Sequence, residues 1–573
     1  MPDFSEYLVR GKRGHLIGIG GVSMSPLAEV LSDAGLIISG SDIAESERTS
    51  HLREKGIVIS IGHDAANITS DIDFVVRTAA AHDENPEIVR AHEMGIPVFE
   101  RTQAWGAIMK GYKNALCIAG THGKTTTTSM CTHILMAAEK DPTVMIGGTL
   151  PLLKAGHRVG TGDTIVMESC EYYNSFLSFY PTVAVILNIE EDHLDFFSGI
   201  EDIKKSFREF ASHVPEDGYV VVNHDDENTM DAVKGLERNI VTFGLTSKAD
   251  VYAKNVIRIG SLTKFDIMYK GKLFDTVNIH VPGVHNLKNA LAAAAACICL
   301  GIKPTAIKYG LAGFSGAGRR FEFKGKFNGA DVYDDYAHHP GELKALLDAV
   351  EALGYKRTIV VFQPHTYTRT MALFHDFVRQ LRRPDVLYLA EIFAAREKNI
   401  LGISSADLAE KIEGAKFFKT FEEIERDLRK TAQPGDLILT VGAGNVYKIG
   451  EHLLADDYES AYARRLRGFE SPSYNMPSSY INARYSRAFD YVSAYDPAFY
   501  NVIVMGDEVW VEPKYITSMF GTWGRPVVFL DPWYYGWSTP GLSFSIGSWG
   551  WSFGWNSWYS PWYSPWHGPW YGS

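Results

Sequence analysis

The sequence predicts an α/β protein of three domains followed by an aromatic-rich tail, and three observations support this fold class. The chain has 573 residues, more than a single hydrophobic core usually serves. Up to residue 456, short apolar runs alternate with segments of helical periodicity, which is typical of parallel sheets with crossover helices. Eleven of the twelve tryptophans lie between Trp510 and Trp570, so residues 457–573 differ in composition from the body.

Composition and charge exclude several classes of protein. The chain is 46% apolar and 22% charged, as expected of a globular protein. Its net charge of −12 argues against a nucleic-acid binder, because phosphate contacts need a basic surface. The five cysteines form no C-x2-C pair, and no apolar run resembles a signal peptide or a membrane span. We therefore expect a reduced, cytoplasmic protein with small-molecule substrates and no nucleic-acid partner.

The first domain is predicted over residues 1–112. Predicted strands at 15–20, 36–40, 73–78 and 97–100, with a helix at 25–35, indicate a doubly wound sheet. The glycine-rich turn GIGGVSMS (18–25) would let a pyrophosphate approach the backbone, and Asp42 stands 22 residues after Gly20, where an acid can bind a ribose hydroxyl. The pattern is G-x-G-G and not G-x-G-x-x-G, which argues against NAD and leaves tight packing as the alternative.

The second domain is predicted over residues 113–319 and contains a phosphate loop. IAGTHGKTTTT (118–128) follows a predicted strand at 115–120 and opens a helix that runs to about residue 138. Backbone N–H groups there would bind phosphates, Lys124 would reach the β and γ oxygens, and Thr125 would hold Mg²⁺. Ile118 replaces the first glycine of the usual pattern. Further strands are predicted at 164–169 and 183–188, an antiparallel appendage at 251–283, and an alanine-rich helix at 285–301.

Candidate metal ligands close two of these strands. Glu168 and Glu171 follow one strand, and His193 follows the next. Because Mg²⁺ prefers carboxylates together with substrate phosphates, these side chains predict a site for one or two Mg²⁺ ions beside the loop.

The third domain is predicted over residues 320–456, with strands at 332–336, 357–364, 385–391 and 436–444. Polar motifs at 316–322, 334–342 and 363–370 lie at predicted strand ends, where α/β proteins bind ligands. Arg319 or Arg320 would stabilise charge on a transferring phosphoryl group. His338 and His339 favour substrate or nucleotide contact over a metal site, since no other Cys or His stands at ligand spacing.

Six motifs, matching in order and spacing, make the body resemble the Mur ligases from about His15 to about Leu454. They are GTHGKTTT (120–127), NIEEDHLD (188–195), PGVHNLKNA (282–290), GAGRRFE (316–322), DDYAHHP (334–340) and QPHTYTRT (363–370). The resemblance implies a Rossmann-like domain that binds a UDP-sugar, a P-loop ATPase domain, and a Rossmann-like domain that binds an amino acid. It does not cover the tail.

The resemblance implies amide-bond synthesis that consumes ATP. In the alanine-adding branch of this family, which the sequence resembles most closely, the carboxylate of UDP-N-acetylmuramate attacks the γ-phosphate to give an acyl phosphate and ADP. The amine of L-alanine then displaces phosphate through a tetrahedral intermediate. Such chemistry needs charge neutralisation and positioning more than a nucleophilic side chain.

Site residues follow from the same resemblance. Lys124, Glu168, His193 and Arg319 would be catalytic, with Thr125 and Glu168 on a first Mg²⁺ and His193 on a second. The ATP contacts would be Gly120, Thr121, His122, Gly123, Lys124, Thr125, Thr126, Asn289, Arg319 and Asp335. The alanine side would be lined by His339, His365 and Arg369, and the UDP-sugar would be bound by Gly18, Gly20, Gly21, Asp42 and His63.

Two alternatives stay open at this point. A recycling ligase that joins a tripeptide to the same UDP-sugar shares the loop and the fold, although the stretch at 170–197 favours the alanine-adding branch. An envelope-interaction or scaffold protein acting through its tail is a different class, and the complete set of phosphate and metal residues argues against it.

The tail has a composition of its own, and its partner is unknown. FYNVIVMGDEVWVEP (499–513) contains two β-branched runs around Gly506-Asp507 and predicts a hairpin. PWYSPWHGPWYG (561–572) repeats every four residues, which suits neither strand nor helix. The two interpretations are an appendage without a role and an aromatic surface that binds a glycan, a membrane interface or a partner.

Overall fold

The computed structural model describes residues 3–194, 196–395 and 397–455, together with four tail strands at 500–505, 508–513, 541–547 and 550–556. The chain forms two compact units, Met1–Asp456 and Asp457–Ser573. Within the described residues, no helix is long and apolar enough to cross a membrane.

The first sheet is parallel throughout and has the strand order β3-β2-β1-β4-β5. This order confirms the doubly wound fold expected from the sequence. The first strand ends earlier than predicted because Gly18 turns the chain at φ 76°. The elements are β1 (Arg13–Ile17), α1 (Met24–Asp33), β2 (Ile37–Asp42), α2 (Glu47–Glu54), β3 (Val58–Ile61), β4 (Phe74–Arg77), α3 (Pro86–Glu93), β5 (Val98–Glu100) and α4 (Arg101–Met109).

The second sheet has ten strands in the order β15-β14-β13-β12-β11-β10-β6-β9-β7-β8. The predicted antiparallel segment exists, but its first strand pairs in parallel with β12, so it extends the main sheet. The strands are β6 (Asn114–Ala119), β7 (Thr143–Leu150), β8 (Ala155–Arg158), β9 (Thr164–Glu168), β10 (Val183–Ile186), β11 (Tyr219–Asn223), β12 (Asn239–Gly244), β13 (Val251–Ile259), β14 (Leu262–Tyr269) and β15 (Lys272–Ile279). The helices are α5 (Lys124–Ala137), α6 (Ile200–Ser212), α7 (Glu227–Ala232), α8 (Val284–Cys299) and α9 (Pro304–Gly313).

Small side chains let the helices of this domain pack closely on one another. Residues Ala290–Cys297 of α8 are fully buried, and α8 contacts both α5 and β12. Its N-terminal turn thereby faces the phosphate loop, which connects β6 to α5 between two parallel neighbours, β10 and β9.

The third sheet has six strands in the order β16-β17-β21-β18-β19-β20, with only β16 antiparallel to its neighbour. The sequence analysis did not predict β16 or the two-residue strand β20. The elements are β16 (Glu322–Phe327), β17 (Ala330–Asp335), α10 (Pro340–Glu351), β18 (Arg357–Phe362), α11 (Tyr367–Ala372), α12 (Phe374–Leu381), β19 (Val386–Leu389), α13 (Ser405–Ala409), β20 (Lys416–Phe417), α14 (Phe421–Thr431) and β21 (Asp436–Val441). A last helical stretch covers residues 447–455.

The tail contains two antiparallel strand pairs. β22 (Tyr500–Met505) pairs with β23 (Glu508–Pro513), which confirms the predicted hairpin. β24 (Gly541–Gly547) pairs with β25 (Gly550–Asn556), a pair that the sequence analysis did not predict. The repeat at 561–572 lies outside the described residues.

Candidate active site

The phosphate loop is built by two glycines and held in place by one asparagine. Gly120 and Gly123 have φ of 139° and 85°, values that side-chain-bearing residues rarely adopt. Asn188, at the end of β10, accepts the His122 N–H at 2.7 Å and donates to the His122 carbonyl at 3.1 Å. The loop N–H groups and the start of α5 therefore converge where an anion would bind.

Lys124 is the first residue of α5 and lies beside a buried carboxylate. Its Nζ is 3.1 Å from Oε2 of Glu171, which is 3% exposed, and it also donates to the Gly120 and Thr121 carbonyls. Burial would lower the pKa of Lys124, but the charge of Glu171 outweighs burial and raises this pKa. The ammonium group is therefore cationic at the loop.

Thr125 and Glu168 bring hard oxygen donors together. The Thr125 hydroxyl donates to Glu168 Oε1 at 3.0 Å, and the Gly147 N–H donates to Glu168 Oε2 at 2.6 Å. A Cβ at Gly147 would lie 2.5 Å from Glu168 Oε1, so only glycine lets this carboxylate pack against β7. A hydroxyl beside a carboxylate is a donor set that suits Mg²⁺.

His193 lies in the loop after β10, in a strained backbone conformation with φ 54°. Its ring stacks on Tyr172 with centroids 4.2 Å apart, and its Nε2 is 3.7 Å from Oδ2 of Asp192. Burial lowers the pKa of His193, although Asp192 opposes the shift. The imidazole is therefore neutral at pH 7, the form that can ligate a metal.

Asn289 and its neighbour Asn286 lie at the first turns of α8 and line a cavity of about 210 Å³. Asn289 donates to Asn286 Oδ1 at 3.3 Å, and a Cβ at Gly123 would lie 2.6 Å from Asn289 Oδ1. The cavity is also lined by His122, Gly123 and Thr126 from the loop. It therefore lies beside the phosphate-binding N–H groups, where the rest of a nucleotide would extend.

The two arginines of the GAGRRFE motif serve different partners. Arg320 lines the cavity, and its Nη2 donates to Thr125 Oγ1 at 3.3 Å. Arg319 donates instead to Asp334 Oδ2 and to the carbonyls of Gly442 and Gly444. Of the two arginines that the motif offers, the structure thus places Arg320 at the phosphate loop and Arg319 on the C-terminal domain.

Asp335 closes the cavity on the side of the C-terminal domain. Its carboxylate accepts the N–H groups of Phe321 (2.7 Å) and Ala337 (2.8 Å). Burial raises the pKa of Asp335 to about 6, although Arg320 opposes the shift.

Arg369 and His365 meet the central domain at Asp192. Arg369 donates from Nε and Nη2 to Asp192 Oδ1 at 3.2 and 3.0 Å, and its Nη1 is 3.2 Å from His365 Nδ1. Burial opposes the charge of Asp192, but Arg369 outweighs it, so the pKa of Asp192 lies well below its usual range. The predicted amino-acid side therefore lies next to His193.

His339 lies apart from these two residues. Its ring packs on His122 with centroids 4.8 Å apart, and its Nε2 is 3.2 Å from the Glu191 carbonyl. The structure thus puts His339 on the phosphate-loop side of the interface.

Among the described residues, His122, Glu190 and His339 place one donor atom each within 4.8 Å of one another, as a metal site would require. Both ring nitrogens of His339 are already engaged, since Nδ1 accepts from Gly341 N and Nε2 faces a carbonyl. We therefore interpret this group as a polar contact between domains.

The glycine-rich turn of the first domain is held by Asp42. Asp42 Oδ2 accepts the Gly20 N–H at 2.8 Å, and the Gly21 N–H donates to the Gly18 carbonyl. His63 lies nearby, with Nδ1 3.0 Å from the fully buried carboxylate of Glu87. Of the five predicted UDP-sugar residues, Gly18, Gly20 and Gly21 thus form the turn and Asp42 holds it, while His63 follows β3 and contacts Ser41 of β2.

Sequence reasoning missed several residues of this site. Asp192, Asn286 and Glu342 stand inside motifs that were singled out. The roles of Asp192 and Glu342 depend on partners more than a hundred residues away, and that of Asn286 on a cavity whose other walls come from distant segments. Glu87 lies outside every motif, and no local sequence pattern indicated that it would contact His63.

Family models match all three domains of the body. They describe the Mur ligase family, catalytic domain (residues 13–113), the Mur ligase middle domain (118–297) and the Mur ligase, glutamate ligase domain (319–444).

Curated relatives match over the same region. The UDP-N-acetylmuramate–L-alanine ligase of Clostridium novyi is 46% identical over 447 residues, which are 77% of this chain and 97% of that protein. The enzyme of the same name from Agathobacter rectalis is 48% identical over 445 residues, again 77% and 97%.

Solved structures agree with this assignment. The UDP-N-acetylmuramate-alanine ligase of Thermotoga maritima is 29% identical with a TM-score of 0.65, over 78% of this chain and 99% of that one. A murein peptide ligase from Psychrobacter arcticus has the same fold at 24% identity and a TM-score of 0.59, over 78% and 98%. The protein belongs to the Mur ligase family.

Proposed function

We propose that this protein joins L-alanine to the lactyl carboxylate of UDP-N-acetylmuramate while converting ATP to ADP and phosphate. One observation carries the proposal: the C-terminal domain reaches the phosphate loop through Arg320, which contacts Thr125, and reaches Asp192 beside His193 through Arg369. A phosphorylated carboxylate formed at the loop would thus face a second substrate held by the C-terminal domain. The curated relatives carry this activity in their names.

The reaction proceeds in two balanced steps. A carboxylate oxygen of the muramoyl group attacks the γ-phosphorus, the bond to the β,γ-bridging oxygen breaks, and ADP leaves. The neutral alanine amine then attacks the acyl carbon, and the tetrahedral intermediate expels phosphate, which leaves as hydrogen phosphate with the proton that the amine has lost. Both steps move negative charge between oxygens, so fixed cations and N–H groups supply most of the catalysis.

The residues of the chain have separate tasks in these steps. Lys124 and the loop N–H groups bind the phosphates, and Arg320 approaches the same point from the C-terminal domain. Asn286, Asn289 and Asp335 line the cavity in which the nucleoside would lie. Arg369 and His365 orient the amino acid where the C-terminal domain contacts Asp192 of the central domain.

The donor set fits Mg²⁺, and we propose two ions. Thr125 and Glu168 would hold one, because their oxygens are already 3.0 Å apart. His193 would hold the other through its neutral imidazole. When bound, Mg²⁺ neutralises phosphate charge and so favours attack by an anionic carboxylate.

The first domain would bind the UDP-sugar at the Gly18–Gly21 turn, whose glycines leave room for a pyrophosphate beside the backbone. Asp42 fixes that turn, and His63 stands beside it on Glu87. Because its substrates are ATP and a nucleotide-sugar and its cysteines are free, we propose a cytoplasmic location.

One assay separates this function from tripeptide recycling. Purified protein should release phosphate only with ATP, UDP-N-acetylmuramate and L-alanine together, and EDTA should stop the release. Phosphate release with the tripeptide and none with L-alanine would instead identify a recycling ligase. No release with either would refute ligase activity.

A further inference from the structure

His122, in the phosphate loop, lies between carboxylates from two domains. Its Nδ1 is 3.3 Å from Oε1 of Glu342, on α10 of the C-terminal domain. Its Nε2 is 3.4 Å from Oε2 of Glu190, in the central domain. The Glu342 side chain is 14% exposed and that of Glu190 is 44% exposed, so the contact between domains is the better protected of the two.

Glu342 has a second set of partners at the start of its own helix. Its Oε2 accepts the N–H groups of His338 (2.9 Å) and His339 (3.2 Å), which closes a capping box at the N-terminus of α10. One oxygen of this carboxylate therefore fixes the helix end, and the other faces the phosphate loop.

The contact joins the three groups at ion-pair distance, although neither ring nitrogen of His122 makes a hydrogen bond among the described residues. Burial disfavours a charged His122, but Glu190 and Glu342 outweigh burial and raise the pKa of this histidine to about 10. The pKa of Glu342 lies well below its usual range, because His338, His122 and Arg320 outweigh its burial. A cation in the loop thus meets an anion on the other domain at pH 7.

The loop is fixed from the other side by its own domain. Asn188 holds the His122 backbone, so the His122 ring is the part of this residue that reaches across the boundary. A shift of α10 would move Glu342 relative to a ring whose backbone cannot follow.

We propose that Glu342 is a positioning residue that, through His122, holds the C-terminal domain in register with the phosphate loop during turnover. The inference rests on the proposed ligase function. Both side chains also line the nucleotide cavity, so the consequence is that loss of the pair slows the reaction by a larger factor than it weakens ATP binding.

The test uses Glu342→Gln in the full chain. Glutamine retains the capping oxygen but not the charge. We expect kcat to fall about 10- to 100-fold, because a shift of about 1 Å in the reacting groups costs on the order of 100-fold in rate. The KM for ATP and the Kd for ADP should rise by a smaller factor than kcat falls. The melting temperature should fall as well, because the charge of Glu342 is stabilised by its neighbours. Glu351→Gln, at the exposed end of the same helix, is the matched control and should keep the wild-type kcat.

His122→Gln tests the other residue of the pair. Together with the double variant Glu342→Gln/His122→Gln, the two single variants form a double-mutant cycle. If the two residues act as a pair, the double variant is no slower than the slower single variant. Multiplicative losses in kcat would overturn the proposal, as would an effect confined to KM for ATP or to the melting temperature. An inactive wild type would refute the ligase function instead, so the two failures are distinguishable.

Discussion

Arg319 and Arg320 are adjacent in the chain, yet their side chains act in different places. The backbone of Arg319 has φ 58°, which turns its side chain into the C-terminal domain, where it lies between Tyr336 and Tyr447. Arg320 is left facing Thr125. A pair of identical side chains is thereby divided into a structural residue and a loop contact.

We predict different losses for the two arginines. Arg320→Met should lower kcat about 100-fold or more with little change in stability, because it removes a donor from the phosphoryl group. Arg319→Met should destabilise the protein by about 3–5 kcal/mol, because Asp334 is 1% exposed and would lose its cation. Steady-state kinetics of both variants measure the loss in kcat, and urea unfolding measures the loss in stability. Equal effects of the two changes on unfolding would contradict the assignment.

Lys124 has two roles in the proposed site, since it binds phosphate at the loop and neutralises the buried carboxylate of Glu171. Lys124→Met should abolish turnover, but it also leaves the buried carboxylate of Glu171 without its cation. We therefore expect a lower melting temperature as well. Lys124→Met combined with Glu171→Gln should recover the melting temperature and stay inactive. Recovery of turnover in the double variant would rule out the role given to Lys124.

At the scale of elements, close helix packing in the central domain depends on Gly310. A Cβ at this position of α9 would lie 2.4 Å from the Cα of Ile134 in α5, a backbone atom that cannot move aside. The helices approach this closely only because the side chain is a hydrogen atom. Since α5 begins at Lys124, this contact also supports the phosphate loop.

Gly310→Ala should therefore destabilise the protein by about 1–3 kcal/mol or more, through overpacking. Gly313→Ala, on the same helix, is the control: its Cβ would meet only His133 Nδ1 at 3.5 Å, an ordinary contact. We expect it to be neutral in urea unfolding. If the two variants unfold at the same urea concentration, the close approach of α9 to α5 is not as described.

The first and second domains are joined by a charged contact between elements. Glu29 on α1 is 6% exposed and lies 2.5 Å from Lys55 Nζ and 3.3 Å from Nε2 of His157 on β8. Burial opposes its charge, but these hydrogen bonds outweigh burial and lower the pKa of Glu29 from 4.5 to about 2.

This pKa shift predicts a pH dependence of stability. Because the pKa of Glu29 is lower in the folded protein than in the unfolded chain, its charge contributes fully to the free energy of unfolding above pH 4.5. This contribution is lost as the pH falls towards 2. Glu29→Gln should thus be less stable than the wild type at pH 7, with the gap narrowing below pH 4.5. Urea unfolding at pH 7, 5 and 3.5 checks this. A gap independent of pH would show that the glutamate acts through packing and not through charge.

For the whole molecule, the body and the tail form separate compact units. All the proposed site residues belong to the unit that ends at Asp456. We predict that a chain ending at Ala455 keeps kcat and KM within about twofold of the full chain and is more soluble, because it lacks the tryptophan-rich segment. Comparison of the two chains in the phosphate-release assay tests this. Loss of activity on truncation would mean that the tail supports the catalytic domains.

The sequence by itself determined the class of the domains and the location of the phosphate loop. Glycines at 120 and 123, a lysine at 124 and a preceding apolar run are local signals, because the backbone conformation and the helix start depend on neighbouring residues. The same is true of the hairpin strands at 500–505 and 508–513. The roles suggested for single residues in the motifs remain predictions until the variants are measured.

Only the tertiary structure decided which residues of different domains meet. Arg369 reaches Asp192 across 177 positions, Arg320 reaches Thr125 across 195, and Glu342 reaches His122. No local pattern encodes such contacts, because they depend on how three sheets are placed against one another. For the same reason the order of the ten-stranded sheet, with β6 between β9 and β10, follows from long-range pairing and from no signal within the strands.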